Sequence, residues 1–435
     1  MRRTAGRQPG FDGRAGSRSS RTYSRVADRV GATGHTKSYG DCMNSTTGRN
    51  GTAPRRVAVV GGGMVGLSTA WFLQEHGIEV TVYERDHVAA GSSWGNAGWL
   101  SPALTVPLPE PAVLTYGVKA VLSPSSPVYV PVSADPGLLR FLTGFTRAST
   151  ARRWRRSMRA YAPVNRRALD SYDLLAKGGV ASPTHETDSF LACFTDDTAR
   201  AHLAHELEEV RASGLPVDFD LLSGDEARAI TPALSDQVGA AIRLRGQRFI
   251  NPPEYVAALA DSVRERGGDI REGVGVDAIH DHGEIILDLG GGRTERHDAV
   301  IGATGTWLGS LMKPFGVRKV VQAGRGYSFT VPAEVLPENP VYLPDQRVAC
   351  TPLGDRLRVA GMMEFRRPEV PVDPRRIEAI VDATRPMFGA GVDFSDRRDE
   401  WVGSRPCTAD GLPLIGPTKS PRVFAAGGHG MWGVV

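Results

Sequence analysis

Between Val57 and Tyr83 the spacing of apolar residues changes period twice. Val57, Ala58, Val59 and Val60 are consecutive apolar residues, the pattern of a parallel strand buried on both faces. From Met64 to about His76 the apolar positions recur at helical spacing, with Leu67, Ala70, Trp71 and Leu73 placed to form a sheet-facing side, and Gly77 ends the helix. Glu79 to Tyr83 predicts a second strand. Farther on, Pro253 to Arg266 predicts a helix closed by Gly267 and Gly268. Short strands are expected around Ile270 to Ile279 and Ile285 to Leu289, another ending at Val300, Ile301 and Gly302, and one over Val423 to Ala426. Ala151 to Leu174 is helical and arginine-rich. Residues 1–52 have neither period; they are rich in Arg, Gly, Ser and Thr and poor in large apolar residues, which predicts disorder.

The turn between the first strand and the first helix carries the chemistry. In Gly61, Gly62, Gly63, Met64, Val65, Gly66, the first glycine permits a tight turn, Gly63 lets backbone approach a pyrophosphate, and Gly66 lets the helix pack closely on the strand. The helix N-terminus would face the phosphates with free N–H groups and a positive dipole. Glu84, followed by Arg85, lies 18 residues beyond Gly66, placed to accept hydrogen bonds from ribose hydroxyls. Strand, glycines, helix, strand and acid in this order predict a dinucleotide site, but NAD and FAD present the same ADP half to it. The next segment, Gly91, Ser92, Ser93, Trp94, Gly95, Asn96, Ala97, Gly98, is too polar and glycine-rich for core. It reads either as a loop wrapped closely around a cofactor or as a plain surface loop.

Composition narrows the class. A chain of 435 residues exceeds one ordinary core, so two domains are expected, and 41% hydrophobic with 23% charged residues is ordinary for a soluble globular protein. The net charge of +4 is not interleaved with aromatics, which argues against nucleic acid. Cys42, Cys193, Cys350 and Cys407 are widely spaced, giving neither a zinc motif nor a disulfide framework, so no metal is expected and the reading is cytoplasmic. No run reaches the roughly 18 apolar residues of a membrane span, which leaves peripheral membrane contact open. Arg2 and Arg3 lack the apolar stretch of an export signal. The Arg-rich, Ser-rich start fits an organelle transit peptide weakly, or a start codon placed upstream of Met43.

Four blocks together resemble the D-amino acid oxidase superfamily of flavoproteins, most closely its D-amino acid dehydrogenase branch. They are VAVVGGGMVGLSTAWFLQEHGIEVTVYER at 57–85, GSSWGNAGWLSP at 91–102, DAVIGATGTW at 298–307, and GSRPCTADGLPLIGP with AAGGHGMWG at 403–433. The resemblance runs from about residue 55 to the C-terminus, with the middle matching loosely. It implies an α/β fold: a discontinuous Rossmann-like FAD-binding domain from 55–105, 240–310 and 396–435, and an α+β substrate domain from 106–239 and 311–395.

It also implies site residues. Val276 would offer its backbone to adenine, and Ala303, Thr304 and Gly305, with Trp307 beyond, would approach FAD; small residues after a strand end independently allow such contact. Arg405, in Gly403, Ser404, Arg405, Pro406, occupies the position of the superfamily's carboxylate-binding arginine, and a guanidinium fork is the side chain best suited to both oxygens. The reaction is expected to be oxidation of the Cα–N bond of a small amino acid by hydride transfer to flavin N5, with the protein aiming the substrate. Backbone N–H groups around Gly428, His429, Gly430 and Met431 would stabilise negative charge on the flavin. His429 is given no proton-transfer role, and Tyr327 is a candidate lid of the substrate pocket or an ordinary strand aromatic.

The sequence also departs from the superfamily. It stops at Val435, where relatives continue into another glycine turn and a helix, which puts flavin retention in question. Cys407 lies after Arg405 and Pro406, away from the cysteine that carries covalent flavin in sarcosine oxidases, so non-covalent FAD is expected. A glycine, sarcosine or hydroxyproline-type oxidase or dehydrogenase would share these blocks, and a truncated, inactive flavin-binding relative is the alternative from another class. The electron acceptor, oxygen or a quinone, stays open.

Overall fold

The strand, turn, helix and strand predicted at the N-terminal side form the centre of a six-stranded sheet in the computed structural model, which describes residues 54–111, 123 and 126–435. The predicted disorder of residues 1–52 lies outside the described residues. The sheet runs in the order Asp269–Arg271, Glu79–Tyr83, Arg56–Val60, Ala299–Gly302, Val423–Gly427 and Leu414–Pro417, with only the last pair antiparallel. Val57, Val59, Val80 and Val82 are buried, as parallel strands covered on both faces require. The helix Met64–Glu75 packs beside the helix Pro252–Glu265, where the Trp71 indole N–H donates to Ser262 Oγ at 3.1 Å and Gln74 Nε2 donates to the Val263 carbonyl at 3.0 Å. These contacts join segments nearly 200 residues apart.

Two expected elements divide differently. The stretch Ala151–Leu174 forms two helices, Ala151–Asn165 and Ala168–Lys177. Pro163 lies in the last turn of the first, where it cannot donate a helical hydrogen bond and weakens continuation. The strand expected over Ile270–Ile279 becomes Asp269–Arg271 in the large parallel sheet and Ala278–Asp281 in a separate three-stranded antiparallel sheet. Gly273, at φ +72°, turns the chain between them.

The second large sheet is mixed and nine-stranded. Its path runs Arg398–Thr408, Val321–Pro332, Arg356–Phe365, Val348–Leu353, Val341–Leu343, Phe190–Phe194, Ala240–Leu244 and Phe219–Ser223, and Val128–Tyr129 pairs onto Arg356–Phe365. The segment 91–98 is fastened to this sheet: Ser328 Oγ donates to the Gly95 carbonyl and Thr351 Oγ1 to the Ala97 carbonyl, both at 2.8 Å. It thereby links the mixed sheet to the glycine turn of the parallel one, where Ser93 Oγ accepts from the Met64 N–H at 3.0 Å. Among the described residues no helix is long and apolar enough to cross a membrane.

Candidate cofactor and substrate site

The glycine turn is built by contacts that tolerate no side chain. A Cβ on Gly66 would stand 1.9 Å from the Gly61 carbonyl oxygen, and one on Gly61, whose φ is +117°, would stand 2.5 Å from the Ala303 carbonyl oxygen. Gly63 differs: its nearest neighbour would be Ser93 Oγ at 3.0 Å. Gly66 and Gly61 therefore fit helix to strand against backbone, while Gly63, at the edge of the cavity, is confined only by a side-chain hydroxyl. Glu84 supports the turn from beneath, Oε2 accepting from the Gly62 N–H at 2.7 Å and Oε1 from the Asp86 N–H at 3.0 Å. Each oxygen keeps a lone pair for another donor.

A cavity of about 590 Å³ opens above this turn. Of the residues expected at the cofactor, Gly61, Gly63, Met64, Val65, Glu84, Arg85, Ser92, Ser93, Asn96, Val276, Ala303, Thr304, Gly305, Trp307, His429, Gly430 and Met431 line it. Gly66, Ala97, Gly98 and Gly428 do not. Gly66 packs beneath the turn, and Gly428, at φ +74°, faces Thr408. Gly98, at φ +73°, fits against the Ile250 carbonyl, and with Ala97 it borders a neighbouring cavity. At one end the Arg85 guanidinium stacks over the Trp307 ring, 3.8 Å from its centroid.

The wall suits a large polar ligand. Thr304 Oγ1, Thr306 Oγ1 and His429 Nδ1 are buried and have no hydrogen-bond partner among the described residues, although all three residues line the cavity. Buried polar groups are normally satisfied, so these atoms call for donors and acceptors from a ligand. Burial pushes the His429 imidazole down to about 4, so it is neutral at neutral pH and contributes one donor and one acceptor.

A second cavity, about 630 Å³, shares Asn96, Arg405, Met431 and Val434 with the first. Apolar side chains such as Leu104, Val106, Phe194, Met362 and Trp432 dominate its inner wall. This cavity is also lined by Glu110, Glu206 and Arg347; burial raises both acids, the Glu110 carboxyl raises Glu206 further, and Arg347 opposes both shifts. Arg405 stands where the two cavities adjoin. Its Nη1 donates to the Met362 carbonyl at 2.6 Å, and among the described residues no carboxylate lies within ion-pair distance. Burial pulls its ionisation down, yet a guanidinium stays charged. A half-buried, desolvated cation without a protein anion among the described residues is costly, and an anionic ligand would relieve that cost.

Tyr327 stands elsewhere. It lines neither cavity, the residue is 1% exposed, and its hydroxyl donates to Glu364 Oε2 at 2.7 Å. Glu364 also pairs with Arg325 and Arg366, each at 3.1 Å. Burial and that carboxylate raise the phenol, so Tyr327 belongs to a buried ionic cluster behind the site and the structure gives it no lid position. Cys407 is likewise buried, its thiol pushed up to about 12, and it lines neither cavity. Reasoning from sequence missed Thr306, Trp401 and Val434 at the first cavity and the apolar wall of the second. Trp401, two residues before Gly403, was within reach of the motif; the apolar wall had no local signal.

The family model described as FAD dependent oxidoreductase, DAO, matches residues 56–435. A D-amino acid dehydrogenase of Xanthobacter autotrophicus is 31% identical over 390 residues, covering 87% of this chain and 91% of that protein. One from Cereibacter sphaeroides is 31% identical over 389 residues, covering 87% and 88%. Among solved structures, glycine oxidase from Bacillus cereus aligns over 87% of this chain and 91% of its own with a TM-score of 0.63 at 20% identity. The L-alpha-glycerophosphate oxidase from Mycoplasma pneumoniae with FAD bound aligns over the same shares, with a TM-score of 0.65 at 17% identity. At those identities the structures establish a common fold.

Proposed function

The chain belongs to the DAO family of FAD dependent oxidoreductases, and from that premise we propose that it oxidises the Cα–N bond of a small D-amino acid, using FAD held without a covalent bond. The observation that carries this reading is Arg405, a half-buried guanidinium lining both cavities at their junction, with no acid partner among the described residues. The curated relatives named D-amino acid dehydrogenase support the substrate class and its chirality.

The parallel sheet and its glycine turn are assigned to the cofactor and the mixed sheet to the substrate. Gly63, Glu84, Val276, Thr304 and His429 would hold FAD, which when bound supplies an acceptor for two electrons and the Cα hydrogen. Arg405 takes the substrate carboxylate with the N–H groups not engaged by Met362, converting an encounter into one fixed orientation. The apolar wall around Leu104, Val106 and Met362 receives a small side chain. As the Cα–N single bond becomes a double bond, the amine nitrogen must lose its extra proton. Neutral His429, which lines the cofactor cavity, is too weak a base to hold that proton, which passes to solvent. Non-covalent binding is supported by the three cysteines among the described residues, Cys193, Cys350 and Cys407, all buried and none lining the cofactor cavity.

The test is anaerobic titration of the yellow holoprotein with D- and L-forms of small amino acids, followed by admission of oxygen or a quinone. Bleaching by the D-form alone is expected, and acid precipitation should leave the flavin in the supernatant. A colourless protein, or flavin that no amino acid bleaches, would refute the assignment and favour an inactive relative. Bleaching by glycine or N-methylglycine in preference to D-amino acids would move the substrate to the neighbouring class. Whether oxygen or the quinone restores the colour identifies the acceptor.

A further inference from the structure

Arg405 lies on the strand Arg398–Thr408, paired antiparallel with Val321–Pro332 so that Gly324 stands opposite Arg405 and Gly326 opposite Gly403. Residues 324 and 326 share a sheet face, and the arginine side chain runs diagonally across Gly326. A Cβ on Gly326 would stand 2.2 Å from Arg405 Cζ, 2.2 Å from Nη2 and 2.3 Å from Nη1. The guanidinium thus occupies the volume that any other residue at 326 would fill.

On the other side of Val321–Pro332 the pairing with Arg356–Phe365 is irregular. Arg325 faces Glu364 and Tyr327 faces Gly361, leaving both Met362 and Met363 against Gly326. Met362 takes the left-handed conformation at φ +67°, which a side chain other than glycine adopts only at an energetic cost. That twist accompanies a carbonyl directed at Arg405 Nη1, 2.6 Å away. Immediately after the bulge, Glu364 is clamped by Arg325, Arg366 and Tyr327, a buried cluster that holds the distorted strand. Strain of this kind persists where surrounding structure over-determines it.

We propose that Gly326 and the main-chain carbonyl of Met362 are positioning residues for Arg405, together aiming its fork and thereby setting the preference for a carboxylate-bearing substrate over the same amine without a carboxylate. The inference rests on the reading of Arg405 as the carboxylate anchor. Because the atoms facing position 326 are the far end of a flexible side chain, Gly326→Ala should fold and displace the guanidinium. A misplacement near 1 Å at a positioning group costs on the order of 100-fold in rate.

The experiment measures kcat and KM of the holoenzyme for an amino acid and for its decarboxylated amine, at matched FAD content, in Gly326→Ala, Arg405→Met and the double variant. Gly326→Ala should lower kcat/KM for the amino acid by about 10- to 100-fold, mainly through KM, with little change for the amine, and should add nothing once Arg405 is methionine. In parallel, Met362→Gly and Met362→Asn, which tolerate the left-handed backbone but remove a side chain of the pocket wall, should change both substrates alike and keep the ratio of amino acid to amine, whereas Met362→Val should lose that ratio. If Arg405→Met affects both substrates alike, the anchor reading itself fails. If Arg405→Met is selective for the amino acid but Gly326→Ala is unselective or additive with it, the positioning role alone is overturned. Should Gly326→Ala fail to fold, the Met362 series decides, and equal ratios across Gly, Asn and Val overturn the role.

Discussion

The three glycines of the turn should respond differently to substitution, because their neighbours differ. In Gly66→Ala the new Cβ would begin 1.9 Å from the Gly61 carbonyl oxygen, so at least 1.1 Å of separation must open before it reaches even 3.0 Å. The obstacle is backbone, and overpacking of this kind costs about 1–3 kcal/mol or more. Gly61→Ala meets the Ala303 carbonyl at 2.5 Å and adds the strain of φ +117°, about another 1–3 kcal/mol. Gly63 is the N-cap of the helix Met64–Glu75 with φ −87° and ψ −177°, an extended conformation that valine also adopts, and its nearest neighbour is a side chain, the Ser93 hydroxyl, which would have to shift a few tenths of an ångström while it accepts from the Met64 N–H. Replacing it should cost the fold about 1 kcal/mol or less. Its side chain would instead occupy the cofactor cavity, and loss of one close backbone contact to a charged group is worth about 1.5–3 kcal/mol, hence roughly 10- to 150-fold in FAD affinity. The assay pairs thermal melting of the stripped proteins with FAD titration. Gly63→Val should melt within a few degrees of the parent and bind FAD poorly, whereas Gly66→Ala should lose melting temperature first. Full FAD occupancy in Gly63→Val, or an unchanged melt in Gly66→Ala, would refute this division of labour.

Arg405→Met should lower kcat/KM for an amino acid by roughly 30-fold to several thousand-fold, from about 2–5 kcal/mol for a charge-assisted pair in an enclosed site, and Arg405→Lys should lose less; steady-state kinetics on the flavin-loaded variants checks both. Tyr327→Phe removes one donor from buried Glu364 and should destabilise the protein by about 1.5–3 kcal/mol in denaturant melts with KM unchanged, while a large rise in KM would return the residue to the substrate pocket. For His429 the folded-state pKa of about 4 lies below the usual 6.5, so the unfolded chain binds the extra proton first. Its stabilising contribution is complete above pH 6.5 and is lost as pH falls toward 4, by up to about 3 kcal/mol. His429→Gln should flatten that part of the stability profile of the flavin-free protein, and an unchanged slope would show that the imidazole is not desolvated.

Much of the cofactor half is legible in the chain because its determinants are local. The run Val57–Val60, the helical spacing after Met64 and the glycines between them each act within a few residues, and strand, turn and helix follow from steric and periodic rules. The same locality explains the errors: Gly273 turns the chain inside what reads as one strand, and Pro163 precedes a break in what reads as one helix. Arg405 and Tyr327 show the limit. Both sit in apparently ordinary strand positions, and sequence alone left Tyr327 open between lid and strand aromatic. Only the pairing of Arg398–Thr408, Val321–Pro332 and Arg356–Phe365 puts Tyr327 on a buried carboxylate and Arg405 over a glycine, against a carbonyl turned by a left-handed methionine. Register between strands separated by tens of residues is chosen by packing across the whole sheet. The shape of the substrate cavity and the aim of its guanidinium were therefore decided by tertiary structure, while the nucleotide turn was already determined by the order of residues along the chain.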